Sequence, residues 1–161
     1  MNLKNQVEWA LHCCAVMMAL PEGVYLPAKV LAEFHGVPKE YLSKALQALS
    51  QHGIVIGTLG PSGGYRLARA PDQISFLDIV EAVEGKRSTF RCEEIRGNNP
   101  CVPRRHRAGK PCTVARIMWK ADEAWRESLR GVSLTDLAAQ LAEDVPDDVL
   151  AKSRAWLLER A

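Results

Sequence analysis

Two short amphipathic segments joined at a glycine, followed at once by a glycine-tipped hairpin, constrain this chain most. Pro27–Phe34 (P-A-K-V-L-A-E-F) has the apolar spacing of a short helix and closes at His35-Gly36. Val37-Pro38 opens a second helix, because a proline suits a first helical turn. That helix runs to about Gln51, with Tyr41, Leu42, Ala45, Leu46 and Leu49 as its inward set and Gly53 as its C-cap. Ile54-Val55-Ile56 is β-branched and short, so it reads as a strand. Gly60-Pro61-Ser62-Gly63-Gly64 makes the turn and Tyr65-Arg66-Leu67 the return strand. Two helices across a glycine turn form a helix-turn-helix, and the hairpin behind them makes it a winged helix. The expected fold class is mainly α, a winged helix-turn-helix domain with a cysteine loop and a long dimerisation helix.

The flanking segments are helical too. Leu3–Ala19 carries Val7, Leu11, Cys14 and Met18 at helical spacing, with Cys14 as a small buried hydrophobe and Trp9 and Cys13 on another side. Ser75–Glu84 is amphipathic, with Ser75 or Asp72 as N-cap and Gly85 as terminator. Thr113–Arg130 carries a longer stripe, Val114, Ile117, Met118, Ala121, Trp125 and Leu129, suited to packing on another helix. Ser133 caps Leu134–Glu143, and a last helix spans Asp147–Leu158. The organisation this implies is a winged helix-turn-helix domain over 1–84, a cysteine loop over 85–112, and the long dimerisation helix and C-terminal helices over 113–161.

The loop from Arg91 to Thr113 holds Cys92, Cys101 and Cys112, three of the five cysteines. Gly97, Asn98, Asn99, Pro100, Pro103, Gly109 and Pro111 interrupt it, so no helix or strand is expected to run through. The net charge is only +2, but residues 85–111 hold eight Lys and Arg against two acids. The overall charge therefore does not announce a nucleic-acid partner, and motifs must carry that reading. No apolar run has membrane-spanning length and the first residues lack a signal-peptide pattern, so a cytoplasmic protein is expected. There thiols stay reduced, which favours ligands or redox sensors over structural disulfides.

Candidate DNA contacts are Lys39, Ser43, Lys44 and Gln47 on the second helix of the pair, and Ser62, Tyr65 and Arg66 in the hairpin. The plainer alternative is a solvated polar face. Eight residues lie between Cys92 and Cys101 and ten between Cys101 and Cys112, unlike the short C-x₂₋₄-C step of zinc knuckles, so their spacing is a weak metal signal. Glu8 and His12 lie one turn apart on one helix face and have the spacing of a chelating pair, although an isolated pair is more often just exposed. A helix beginning at Cys112 or Thr113 favours a thiolate at Cys112. No G-x-S-x-G, H-E-x-x-H, phosphate loop or dinucleotide fingerprint is present, which argues against an enzyme. A metal-free thiol switch through Cys13 and Cys14, or through the loop cysteines, is a competing expectation.

The helix-turn-helix, the G-P-S-G-G-Y-R-L wing, the D-I-V-E-A-V-E-G helix, the cysteine loop and the long helix together resemble the winged-helix iron–sulfur transcriptional regulators typified by IscR and NsrR. The resemblance covers nearly the whole chain. V-E-W-A-L-H-C-C at Val7–Cys14, C-E-E-I-R at Cys92 and P-C-T-V-A-R-I-M at Cys112 look like the RsrR-type redox regulators within that family. The resemblance implies a homodimer paired through Thr113–Arg130, bound to a palindromic DNA operator. It implies a 2Fe–2S cluster with Cys92 and Cys112 from one subunit and Glu8 and His12 from the other, and a redox-responsive Trp9. The IscR- and NsrR-like arrangement is the alternative: Cys92, Cys101 and Cys112, completed by His106 or Glu8, hold a 2Fe–2S or 4Fe–4S cluster that senses nitric oxide or iron supply. Thr58-Leu59-Gly60 departs from the family by offering no arginine at the wing tip.

Overall fold

The computed structural model describes residues 3–60, 63–101 and 111–161. Its first helix, α1, spans Asn5–Met18. Helices α2, Ala28–His35, and α3, Lys39–Gln51, follow, with prolines 27 and 38 as their N-caps. Gly36 sits between them at φ 64, ψ 34, the left-handed region a side chain disfavours, and its N–H bonds back to the last turn of α2. That single residue reverses the chain and creates the helix-turn-helix.

The wing pairs β1, Val55–Gly57, antiparallel with β2, Tyr65–Leu67, with Val55 opposite Leu67 and Gly57 opposite Tyr65. Reciprocal bonds between Thr58 and Gly64 close its base. Tyr65 also exchanges both backbone hydrogen bonds with Leu26, at 2.8 and 2.9 Å, so the wing is anchored to the segment before α2. A Cβ on Gly64 would stand 2.5 Å from the Leu26 carbonyl, and this close approach is why a glycine is needed there.

Two serines set the next starts. Ser75 caps α4, Phe76–Glu84, and Ser133 caps α6, Leu134–Asp144. Each accepts from the backbone N–H three residues on, while Asp78 or Asp136 accepts from the cap's own N–H. The two caps pair as an antiparallel bridge, Phe76 N–H to Val132 O and Leu134 N–H to Ile74 O. Helix α5 spans Thr113–Arg130 and α7 spans Asp147–Leu158.

The chain packs as two units, Arg87–Ser128 and the remainder, in which residues up to Lys86 associate with Leu129–Ala161. The larger unit holds the core: Leu26, Leu31, Leu42, Leu46, Leu49, Ile54, Ile74 and Ile79, joined by Ala10, Cys13, Cys14, Leu134 and Leu157. The smaller unit is held mainly by polar ties. Trp119 Nε1–H donates to Phe90 O and Arg126 donates to Arg87 O at 2.7 Å, fixing the start of the loop along α5. Val114 and Ile117 on α5 are 59 % and 64 % exposed, and Met118 and Trp119 are exposed beside them.

Three local expectations are corrected, and the burial of Cys13 is added to what the stripe on α1 implied. Tyr41 is not inward but 53 % exposed, its ring lying under the Lys44 ammonium. Cys13 is fully buried, because α1 packs against α3, α4, α6 and β2 and so buries a wider face than one stripe. The first wing strand begins one residue later than its β-branched run, with Ile54 buried ahead of it. A 3₁₀ turn forms at Ile95–Asn98 inside the loop, since one turn needs no continuous apolar face.

Candidate DNA-binding face and metal half-sites

Helix α3 buries Leu42, Ala45, Leu46 and Leu49, which turns Lys39, Lys44 and Gln47 to solvent and leaves Ser43 half-buried. Lys39 and Gln47 line a cleft of 580 Å³ with Lys29, Ser50, Gln51, Thr58 and Tyr65, running between the recognition helix and the wing. Lys29 was not legible as a candidate, since only the folded chain brings the start of α2 to this cleft. The Arg66 guanidinium lies 5.3 Å from the Tyr25 ring centre and donates to Leu67 O. Leu59 is fully exposed on the wing. Ser62 lies outside the described residues.

The first metal half-site is on α1. Glu8 and His12 are both exposed, and both line one cleft of 390 Å³ with Leu3, Val7, Leu11, Phe76, Leu137 and Leu141. A carboxylate and an imidazole one turn apart thus open into the same apolar-walled space, a donor pair suited to a metal. Behind them the His12 ring lies 5.8 Å from that of His35, the last residue of α2. Burial, and then the neighbouring His12, hold the His35 imidazole below the ordinary histidine range, and His35 Nε2 is buried with no hydrogen-bond partner. Nothing in the spacing of His35 announced this contact. Trp9 is half-buried against the core.

The second half-site is the cysteine loop. Cys112 immediately precedes α5, and the backbone N–H groups of Ala115 and Val114 bond its sulfur, holding the thiol below its usual range. Arg96 adds to this effect. Arg96 is itself gripped by Glu94 through both carboxylate oxygens, Nη2 to Oε2 at 2.7 Å. Cys92 and Cys112 are half-buried, whereas Cys101 is exposed, with its backbone N–H on Asn99 Oδ1. His106 lies outside the described residues. Among the described residues, no three His, Cys, Asp or Glu side chains of one chain gather closely enough to hold a metal ion. The donors fit an iron–sulfur centre in kind, two thiols and a carboxylate–imidazole pair, but each half supplies only two.

Cys13 and Cys14 differ from the loop thiols. Both are fully buried; burial pushes the Cys13 thiol up to about 12 and raises Cys14 further. No described helix is long and apolar enough to cross a membrane.

A glycine-turned helix pair with an exposed polar recognition helix and an anchored hairpin defines a winged-helix DNA-binding protein. Residues 3–140 match the family model described as Rrf2, iron-dependent transcriptional regulator, and the chain belongs to that family. It is therefore a DNA-binding transcriptional regulator and not an enzyme. The protein rrf2 of Nitratidesulfovibrio vulgaris is 33% identical over 109 residues, 68% of each chain. Among solved structures, CymR, the global cysteine regulator of B. subtilis, superposes with a TM-score of 0.66 at 21% identity, covering 87% of this chain and 98% of its own. IscR of T. potens superposes with a TM-score of 0.64 at 22% identity, covering 91% and 92%. At those identities the structural matches speak for the fold.

Proposed function

We propose that this regulator works as a homodimer of the RsrR type. Its affinity for a palindromic operator follows the redox state of a 2Fe–2S cluster that Glu8 and His12 of one subunit share with Cys92 and Cys112 of the other. The observation that carries the reading is that each of two donor sets is incomplete by itself. Glu8 and His12 open into one cleft, and the Cys112 thiol is held toward its thiolate at a helix start. When bound, the cluster supplies a one-electron couple. Two thiolates, a carboxylate and an imidazole donate less negative charge than four thiolates, which favours a higher potential, as histidine ligation does in Rieske centres. The exposed α5 stripe supports dimerisation, because an apolar row of that length is costly to leave in water.

The chain's own residues then connect site to DNA. Glu8 and His12 stand on α1, and α1 packs on recognition helix α3 through the shared core, so a change of position at the α1 face biases α3. Half-site spacing over the operator sets affinity, so a small shift in each recognition helix suffices. Visible absorbance and electron paramagnetic resonance of anaerobically purified protein test the cluster. Footprinting with oxidised and dithionite-reduced protein at fixed salt tests the response: weaker protection after reduction is expected, and equal protection refutes it.

The alternative ligand sets separate by substitution. His12→Ala should lose or alter the cluster while Cys101→Ala keeps it; the reverse result assigns the three-cysteine site, with its 4Fe–4S option. A metal-free switch is carried only by the loop, where Cys101 is exposed, since the buried α1 thiols are poorly placed to react. The oxidised form of S. aureus CymR is one structural neighbour, and iron-free protein whose DNA affinity follows oxidation would favour this second reading.

A further inference from the structure

Helix α3 begins Lys39-Glu40-Tyr41, and the first turn of a recognition helix is the part that reaches base edges. Glu40 is exposed there. Helical spacing puts it in one row with Lys44, Gln47 and Gln51, all exposed, on the side of α3 away from the buried Leu42, Ala45, Leu46 and Leu49. Lys44, four residues on, is the usual partner for such a carboxylate. It lies instead over the Tyr41 ring, 5.6 Å from its centre, and among the described residues Glu40 has no hydrogen bond or ion pair. A free carboxylate in the row that faces DNA weakens binding, because the phosphates carry the same charge. The plain role for an acid in a first turn is to favour the helix start, and Pro38 supplies no side-chain cap there. Any position in that turn would serve that role; the outward row is the one where the charge meets the duplex.

We propose that Glu40 is a base-reading residue that selects a cytosine in the operator, its carboxylate accepting from the N4 amino group in the major groove. The choice of base follows from the donors and acceptors on each edge. An ionised carboxylate only accepts. Guanine presents N7 and O6 there and thymine O4, all acceptors that repel it. Adenine sets its N6 donor beside the N7 acceptor, whereas cytosine presents a donor with no acceptor next to it. At every other base the charge is a penalty, so Glu40 gains discrimination at the expense of affinity. The inference needs only the DNA-binding class of the protein and is independent of what the cysteine loop holds.

The test starts from duplexes that the anaerobically purified full chain selects out of a randomised pool. Selected duplexes with no invariant cytosine overturn the proposal at this first step. Each invariant cytosine is then replaced in turn by the other three bases, and affinities are measured by fluorescence anisotropy at fixed salt, beside a duplex of unrelated sequence. For the parent, replacing the cytosine that Glu40 reads should weaken binding about tenfold. Glu40→Ala should erase that preference while its affinity for the unrelated duplex stays level or rises. Glu40→Gln, whose amide both donates and accepts, should move the preference at that position toward adenine. A new preference is a result that loss of a helix-start charge would not give, and the Gln variant keeps the side-chain size if Glu40→Ala does not fold. Unchanged base preferences in both variants, with only lower stability in urea, assign Glu40 to the helix start and overturn the proposal. So does a fall in affinity of Glu40→Ala for the unrelated duplex.

Discussion

The two donor pairs are built in different ways. Glu8 and His12 ride on α1, whose opposite face is locked by Ala10, Cys13, Cys14 and Met17 in the apolar core. Cys92 and Cys112 are placed by polar, local means: a left-handed glutamate, an Arg–Glu fork, a helix start and the Trp119–Phe90 bond. A packed helix face is set by side-chain volume and resists change. A hydrogen-bonded loop on the surface opens more readily and exchanges partners at lower cost. One half is therefore a platform and the other an adjustable arm, an arrangement suited to a centre that must respond to a signal.

Thiol labelling gives the largest contrast. Iodoacetamide on folded apo-protein should modify Cys92, Cys101 and Cys112 and leave Cys13 and Cys14 untouched until denaturant is added, as read by peptide mass spectrometry. Early labelling of Cys13 or Cys14 would break the distinction between platform and arm. Next comes Leu46→Ala, which removes a fully buried side chain from the inner face of the recognition helix. A loss of about 2–5 kcal/mol is expected from urea unfolding. A loss well under that range would mean the core collapses around the gap and the platform is softer than argued.

Ser75→Ala removes one half of the capping box on α4 and should cost about 1 kcal/mol by the same measurement. The smallest effect is in pH. The His35 imidazole is held below 6.5, mainly by burial, so the unfolded chain takes up its proton first as pH falls. Stability should decline as pH drops through 6.5 toward the lower folded value, and His35→Phe should flatten that part of the profile. A variant that retains the full slope would move its origin elsewhere.

Much of this was readable from residue order. The bounds of α5 and α7, the caps at Ser75 and Ser133 and the turn at Gly36 follow from local chemistry that acts within four residues. The Glu8–His12 pair was readable for the same reason, since helical spacing places both on one face. Tyr41 was misplaced, and the burial of Cys13 was not legible, because periodicity gives the angle between residues on a helix but not how many neighbours surround it. His35 and Lys29 left no local signal at all. The contact of Arg66 with Tyr25, far from it in sequence, left no local signal either.

The sequence by itself determined the succession of elements, the donor types and the family, because each depends on short-range propensity or on motifs whose order is preserved along the chain. Only the tertiary structure decided which side of α1 is buried, that His35 backs His12, and that Arg96 turns back onto Glu94. Those depend on long-range packing and on a left-handed backbone at Glu94, and neither the packing partner nor the sign of φ is written in the local residue pattern.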